Sequence, residues 1–296
     1  MDGPSLQALG AAAALGSAAT WAVTSLLVRR LMPPYTSVGV GAIRSCVGGA
    51  LLLGTILLLH GPGPLLAIPS GSLALLVVSI VAAICVGDTA FFESTRRLGL
   101  ARGMSISTTY PLVAAVLAAA FLDEPLTARV AIGALLTLSG VLLIVVRRPE
   151  PGLAPEDGWW LGVAGAVIAS VAWGVSAVAL KPALRDVDAV TAQAVRLPIA
   201  GALLFVTPWA RGTVSRLRRE RTGLRSLVVL GLLTSVSSVM FVVGLQHAGV
   251  AVGSALSATA PMFAIPLGLV FLRERLTAAP IVGSAVTIAG IAVLQA

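Results

Sequence analysis

From Leu73 to Gly87, and again from Met104 to Leu122, the chain carries no charged side chain. Runs like these approach or reach the roughly 20 apolar residues that cross a bilayer as a helix. A water-facing fold needs polar side chains to cover it, and this chain has few. Charged residues make up 11% and hydrophobic residues 57%, whereas soluble domains carry about 25% charged residues. Mean hydropathy is +1.00. Lipid offers the backbone no hydrogen bonds, so uncharged spans of this kind must be helical. The sequence therefore predicts an all-α polytopic membrane protein. The opening Met-Asp-Gly-Pro-Ser lacks a basic stretch, so the first apolar segment is expected to stay as a span.

Hydropathy divides the chain into ten transmembrane helices: 6–28, 38–59, 73–92, 102–122, 127–146, 159–180, 189–209, 225–246, 250–271 and 277–295. They fall into two copies. At an offset of 152, Trp21 matches Trp173, Arg44 matches Arg196, and Gly49 to Leu52 match Gly201 to Leu204. The offset then becomes 150. Gly99, Gly103 and Pro111 match Gly249, Gly253 and Pro261, and Gly133 and Gly140 match Gly283 and Gly290. Phe121-Leu122-Asp123-Glu124-Pro125-Leu126-Thr127 matches Phe271-Leu272-Arg273-Glu274-Arg275-Leu276-Thr277. Apolar helices resemble one another by chance, but paired Gly, Pro, Arg and Glu do not follow from composition. The copies occupy 1–148 and 158–296, with 149–157 as linker. Five spans is an odd number, so the second copy enters from the opposite side. Two inverted five-helix repeats are a ground plan of secondary transporters, with the substrate near the midplane between them.

Ten helices in two copies, each with a proline inside its fourth span and F-L-x-E-x-L-T after it, resemble the EamA family of the drug/metabolite transporter superfamily. The resemblance runs over essentially the whole chain. It implies a plasma (inner) membrane transporter of a small metabolite such as an amino acid, commonly an exporter. It does not name the cargo.

Net charge is +8. Most arginines stand at the ends of apolar runs, as membrane anchors do, so nucleic acid is not an expected partner; the lipid bilayer is. Of the 20 Lys and Arg, fifteen fall on the face that holds loops 1–2, 3–4, 5–6, 7–8 and 9–10. Three fall on the other, and Arg44 and Arg196 lie within spans. The positive-inside rule then places both termini outside. The basic 7–8 loop suits either a retention anchor or contact with anionic headgroups.

A charge within the hydrocarbon is a functional hypothesis. Arg44 and Arg196 take the same depth from opposite faces. They fit contact with a substrate carboxylate or phosphate, or a snorkelling or carbonyl-clamping role. Asp88, whose counterpart is Ser238, lies close in depth to Arg44. It fits an ion pair with Arg44 or a site for a coupling proton. Arg196 has no matching acid and is the better candidate for a bound anion. Glu93 reads as an interfacial partner of Arg96 and Arg97.

Pro111 and Pro261 are expected as helix kinks that free the carbonyls of Ser107 and Ser257. Either a cavity or neighbouring hydroxyls must satisfy them. The polar collar around the kinks, with Ser107, Tyr110, Ser257 and Thr259, is where the substrate is expected. Trp21 and Trp173, well inside their spans, suit the cavity wall or the core. Glu124 and Glu274 favour the N-termini of the helices that follow them.

No catalytic set is legible. Asp88 lacks a second intramembrane acid, and His247 has no G-x-S-x-G nearby. Cys46 and Cys85 lie in apolar spans, and no H-E-x-x-H pairs His60 with His247. Neither a metal nor a cofactor is expected, and no nucleotide-binding loop is present. The expected function is a secondary transporter with a central cavity, protons being one candidate coupling ion. The alternatives are an antiporter of phosphorylated or nucleotide-linked metabolites, and a lipid-moving or scaffold protein. Monomer and homodimer remain equally open.

Overall fold

The computed structural model describes residues 3–32, 35–121, 128–146, 158–220, 224–248, 250–274 and 278–295. These residues are helical almost throughout, and no strand occurs among them. In the first copy, α1 (Gly3–Leu31) and α2 (Ser37–His60) are followed by the short α3 (Gly63–Leu66). A long third helix follows, made of α4 (Ser70–Ile80), a π-helix (Val81–Asp88) and α5 (Thr89–Leu98). The fourth is split into α6 (Leu100–Ser107) and α7 (Tyr110–Phe121), and α8 (Ala128–Val146) closes the copy. The second copy has α9 (Trp159–Ala183), α10 (Ala189–Val206), α11 (Pro208–Glu220) and α12 (Leu224–His247). It ends with the split pair α13 (Val250–Ser257) and α14 (Ala260–Phe271), then α15 (Ala278–Gln295).

Among the described residues, eight helices are long and apolar enough to cross a membrane. Sequence alone suggested ten. The fifth and tenth positions hold shorter apolar stretches, Ile132–Ile144 and Ala278–Val293, with part of their flanks outside the described residues. Two other differences have physical causes. The third helix runs on to Leu98, past the expected end near 92. Glu93 sustains it by ion pairs with Arg96 (2.5 Å) and Arg97 (2.8 Å), three and four residues on. The 7–8 connection holds a helix, α11. Pro208 starts it, where a missing N–H costs nothing.

The copies interlock. α1 packs along α12 and, in the equivalent arrangement, α9 packs along the third helix. α2 crosses α10, and α8 crosses α15. Small residues permit the last crossing. A Cβ on Gly140 would fall 2.4 Å from Thr287 Oγ1 and 2.6 Å from the Gly283 carbonyl oxygen. Such contact with backbone leaves no room for a side chain.

The fourth helix of each copy is broken rather than bent. The breaks fall at Thr108–Thr109 and Ala258–Thr259, so Pro111 and Pro261 enter the first turn of α7 and α14. Proline is tolerated there. The hydroxyl of Thr109 donates to the Ile106 carbonyl (2.8 Å) and that of Thr259 to the Leu256 carbonyl (2.6 Å). Neighbouring hydroxyls thus close both half-helices. Glu274 has a role that sequence reasoning placed elsewhere. Instead of favouring the start of α15, its carboxylate accepts the N–H groups of Leu100 (2.5 Å) and Ala101 (3.3 Å). It caps α6 of the other copy. Gly99, at φ +86°, turns the chain there, and a Cβ on it would meet that carboxylate at 3.0 Å. Glu124 lies outside the described residues.

α10 starts at Asp188, whose side chain accepts the N–H groups of Val190 (2.9 Å) and Thr191 (3.1 Å). Burial pushes this carboxyl up, but the bonds from Thr191 and Val190 outweigh it and hold it below the usual carboxylate range.

Two predictions follow from these packings. Gly140→Leu is expected to destabilise the protein by about 1–3 kcal/mol through overpacking. Gly54→Ala, where a Cβ meets nothing within 4 Å, should leave Tm unchanged or raised. Thermal unfolding in detergent reads both. Asp188→Ala is expected to cost about 1 kcal/mol at pH 7. Because the folded-state carboxyl is held low, that difference should shrink as pH falls below the ordinary value of about 3.9. Denaturant titrations at pH 7 and pH 3.5 measure it.

Candidate substrate cavity

A cavity of about 140 Å³ lies between the copies. Its wall takes Ser17 and Trp21 from α1 and Arg44 from α2. Ala83, Ile84 and Asp88 come from the π-helix, Tyr110 from the start of α7, and Trp173 and Ser176 from α9. Gln193 and Arg196 come from α10, Thr234 and Ser237 from α12, and Ser257 from the end of α13. The structure therefore brings together Trp21, Arg44, Asp88, Tyr110, Trp173, Arg196 and Ser257. Ser107 and Thr259 are not among the lining residues. Ser107 is fully buried, and Thr259 is spent on the Leu256 carbonyl. Pro111 and Pro261 stand at the breaks and are not among the lining residues.

Arg44 is 1% exposed, so its charge must be met by the protein. It donates through Nη2 to Asp88 Oδ2 and through Nη1 to Thr234 Oγ1 (3.3 Å). Its guanidinium also lies 5.7 Å from the centre of the Trp21 ring and 5.2 Å from that of Phe92. A desolvated cation gains from such ring faces. The other oxygen of Asp88, Oδ1, accepts the Trp173 indole N–H at 2.9 Å. That N–H is shared with the Ala83 carbonyl at 3.2 Å.

The π-helix makes this arrangement. Its wide turns loosen the backbone ladder, and such segments gather at functional sites. Here Ala83 turns its carbonyl to an indole and Asp88 comes round to face Arg44. Gly87 admits the ring. A Cβ at that position would lie 2.6 Å from two atoms of the Trp173 indole. Sequence periodicity carries no mark of a π-helix, because the whole run is apolar on every face.

Arg196, 3% exposed, has a different set of partners. It donates to Gln193 Oε1 (3.2 Å) and Ser176 Oγ (3.3 Å). Gln193 is itself held by donating to the Ser238 carbonyl at 2.9 Å. Among the described residues no carboxylate lies within ion-pair distance of Arg196. The cavity wall thus holds two guanidinium groups and one carboxylate, an excess of one positive charge. Sequence reasoning missed Gln193, although an amide one turn before a buried arginine was a usable signal.

Aromatic rings form another part of the wall. Trp21 meets Trp173 edge-on at 5.9 Å, and Tyr110 meets Trp173 at 6.2 Å and Phe241 at 6.5 Å. These separations suit aromatic pairs. Tyr110 is anchored by donating to the Ser254 carbonyl at 3.1 Å. On one side, Ser17 and Ser237 exchange hydroxyl-to-carbonyl bonds at 2.9 and 3.3 Å and tie α1 to α12.

Breaking the ion pair from one side leaves a buried charge alone. Asp88→Leu is expected to lower stability by about 3–5 kcal/mol. The double variant Arg44→Met/Asp88→Leu should recover most of that loss. Denaturant unfolding of the single and double variants measures the difference. Equal losses would show that the pair is not the source of the cost.

Comparisons with known proteins follow the same division. The sequence model of the EamA-like transporter family matches residues 8–146 and 160–295, one match to each copy. A protein of Archaeoglobus fulgidus described as an uncharacterized transporter is 23% identical over 219 residues, 74% of either chain. One solved crystal structure superposes with a TM-score of 0.65 over 98% of this chain and 96% of its own, at 18% identity. That likeness concerns the fold. With the family matched through both copies, the chain belongs to the EamA-like transporter family, as a transporter and not an enzyme.

Proposed function

We propose that this transporter is a secondary carrier of a small carboxylate-bearing metabolite, such as an amino acid, and that it works as an exporter. Its ten helices would form two inverted five-helix copies in the inner membrane, with both termini outside. Alternating access around the cavity between the copies would move the cargo. The observation that carries this proposal is the excess positive charge of the wall. Arg44 is balanced by Asp88, and Arg196 is left with neutral partners only. An anionic group entering a site of low dielectric finds Arg196 poised for a charge-assisted, two-pronged contact.

A zwitterion carries no net charge, so it can pair with both signs in the wall without cancelling the excess. Its carboxylate goes to Arg196 and its ammonium to Asp88. The aromatic surface of Trp21, Tyr110 and Trp173 covers its apolar part. A proton and the cargo's ammonium then compete for one carboxylate, which is what proton-driven export requires. The antiport of phosphorylated or nucleotide-linked metabolites draws on the two buried arginines. It suffers from the engagement of one of them by Asp88. It also suffers from cavity size, since an engineered cavity of about 150 Å³ holds benzene. A scaffold role gives no reason for two arginines and an aspartate around a cavity in the core.

Uptake of a pooled amino-acid panel into proteoliposomes, with and without an imposed pH gradient, tests the proposal. Arg196→Ala is expected to lower transport at least tenfold while the protein stays folded. Gln193→Glu, which places a carboxylate beside Arg196, should do the same by cancelling the excess charge. Asp88→Asn should remove the pH dependence yet preserve exchange of cargo for cargo. Unchanged transport by folded Arg196→Ala would overturn the anion site, and a preserved pH profile in Asp88→Asn would overturn its coupling role.

A further inference from the structure

α11 has two unlike faces. The inner face is built into the bundle. Ala210 is buried in a cluster with Ala42, Leu197 and Leu204 that also holds Ile80 and Ile84 of the cavity wall. Thr213 is 1% exposed. Its hydroxyl accepts the Thr36 N–H at 3.1 Å and meets the Thr36 hydroxyl at the same distance. Thr36 in turn donates to the Trp209 carbonyl at 3.0 Å. Thr36 caps α2, the helix that carries Arg44, by accepting the Gly39 N–H. Gly39 lets Thr213 this close, since a Cβ there would fall 2.2 Å from the Thr213 hydroxyl. α11 is thus fastened to the first turn of α2.

The outer face is open and basic. Arg211 and Arg216 are exposed, and so is Arg225 at the start of α12. From Pro208 to Arg225 the sequence has six arginines and a single acid, Glu220. Trp209 is 65% exposed, directly after the exposed apolar end of α10 at Phe205 and Val206. An amphipathic indole between an apolar helix end and a run of arginines marks the level of lipid headgroups. Thr207, in extended backbone, ends α10 there and lets α11 take a new direction. A basic amphipathic helix at that level attracts anionic headgroups.

We infer that α11 docks on anionic phospholipid headgroups and that this contact is passed through Thr213 and Thr36 to the first turns of α2. The occupant is the bilayer's own anionic surface, argued from charge and from the placing of Trp209. This inference does not rest on the identity of the cargo.

The test uses full-length protein in nanodiscs of phosphatidylcholine alone and of phosphatidylcholine with phosphatidylglycerol. Amide hydrogen exchange and Tm are read in each. Phosphatidylglycerol is expected to slow exchange in residues 208–216 and 36–43 together, and to raise Tm. Arg211→Gln/Arg216→Gln should raise the phosphatidylglycerol fraction needed for half the effect about tenfold or more. Arg96→Gln/Arg273→Gln, which removes two cations elsewhere, should leave it unchanged. Thr213→Val should keep the slowing in 208–216 and lose it in 36–43. Equal responses to the two lipid compositions, or an unchanged response in Arg211→Gln/Arg216→Gln, would overturn the docking. A response of 208–216 alone in the unmodified protein would overturn the link to α2.

Discussion

A guanidinium buried to 1% exposure in a helical bundle sets the terms for everything around it. Taking such a charge out of water costs several kcal/mol, and the protein must return that cost by contact. Arg44 finds Asp88, Thr234 and two aromatic faces. Asp88 reaches it from a π-helix, and the π-helix is steadied by the indole of Trp173 in the other copy. Trp173 can sit there only because residue 87 is glycine. One buried charge thus fixes side chains on four helices, in both copies, around one cavity.

The same accounting gives the cavity its chemical character. The second copy repeats the arginine but replaces the acid with Ser238 and an amide, Gln193. Duplication supplied the frame and divergence supplied the charge imbalance. Rings and hydroxyls line what remains, so the site presents one strong electrostatic preference within a mostly apolar surface. Binding sites of small molecules are commonly made this way.

Much of this could be read from the sequence. Lipid imposes helices, and apolar runs separated by Pro, Gly and Arg show where they lie. The paired residues of the copies marked Arg44, Arg196, Trp21 and Trp173, and depth along the helix brought Asp88 to Arg44. What escaped has a common cause: it depends on which way a residue faces. Ser107 and Thr259 sit near the breaks as expected, but neither hydroxyl reaches the cavity wall, and that of Thr259 turns to its own backbone. Glu274 caps a helix 174 residues away, and no local pattern reports that. α11 was taken as a basic connection because its arginines hide a helical period.

The π-helix has one more consequence. Two identical copies in opposite senses would make a carrier whose two end states are related by a two-fold rotation and have equal free energies. The repeat offset shortens by two residues between Leu52 and Phe91, and the π-helix, Val81–Asp88, lies in that interval. α12, its counterpart in the second copy, is a regular α-helix and carries no acid in place of Asp88. The symmetry that would balance the two states is broken at the charged centre of the site. In the alternating carrier proposed above, that asymmetry would set a resting preference for one face of the membrane before any gradient or cargo acts on it.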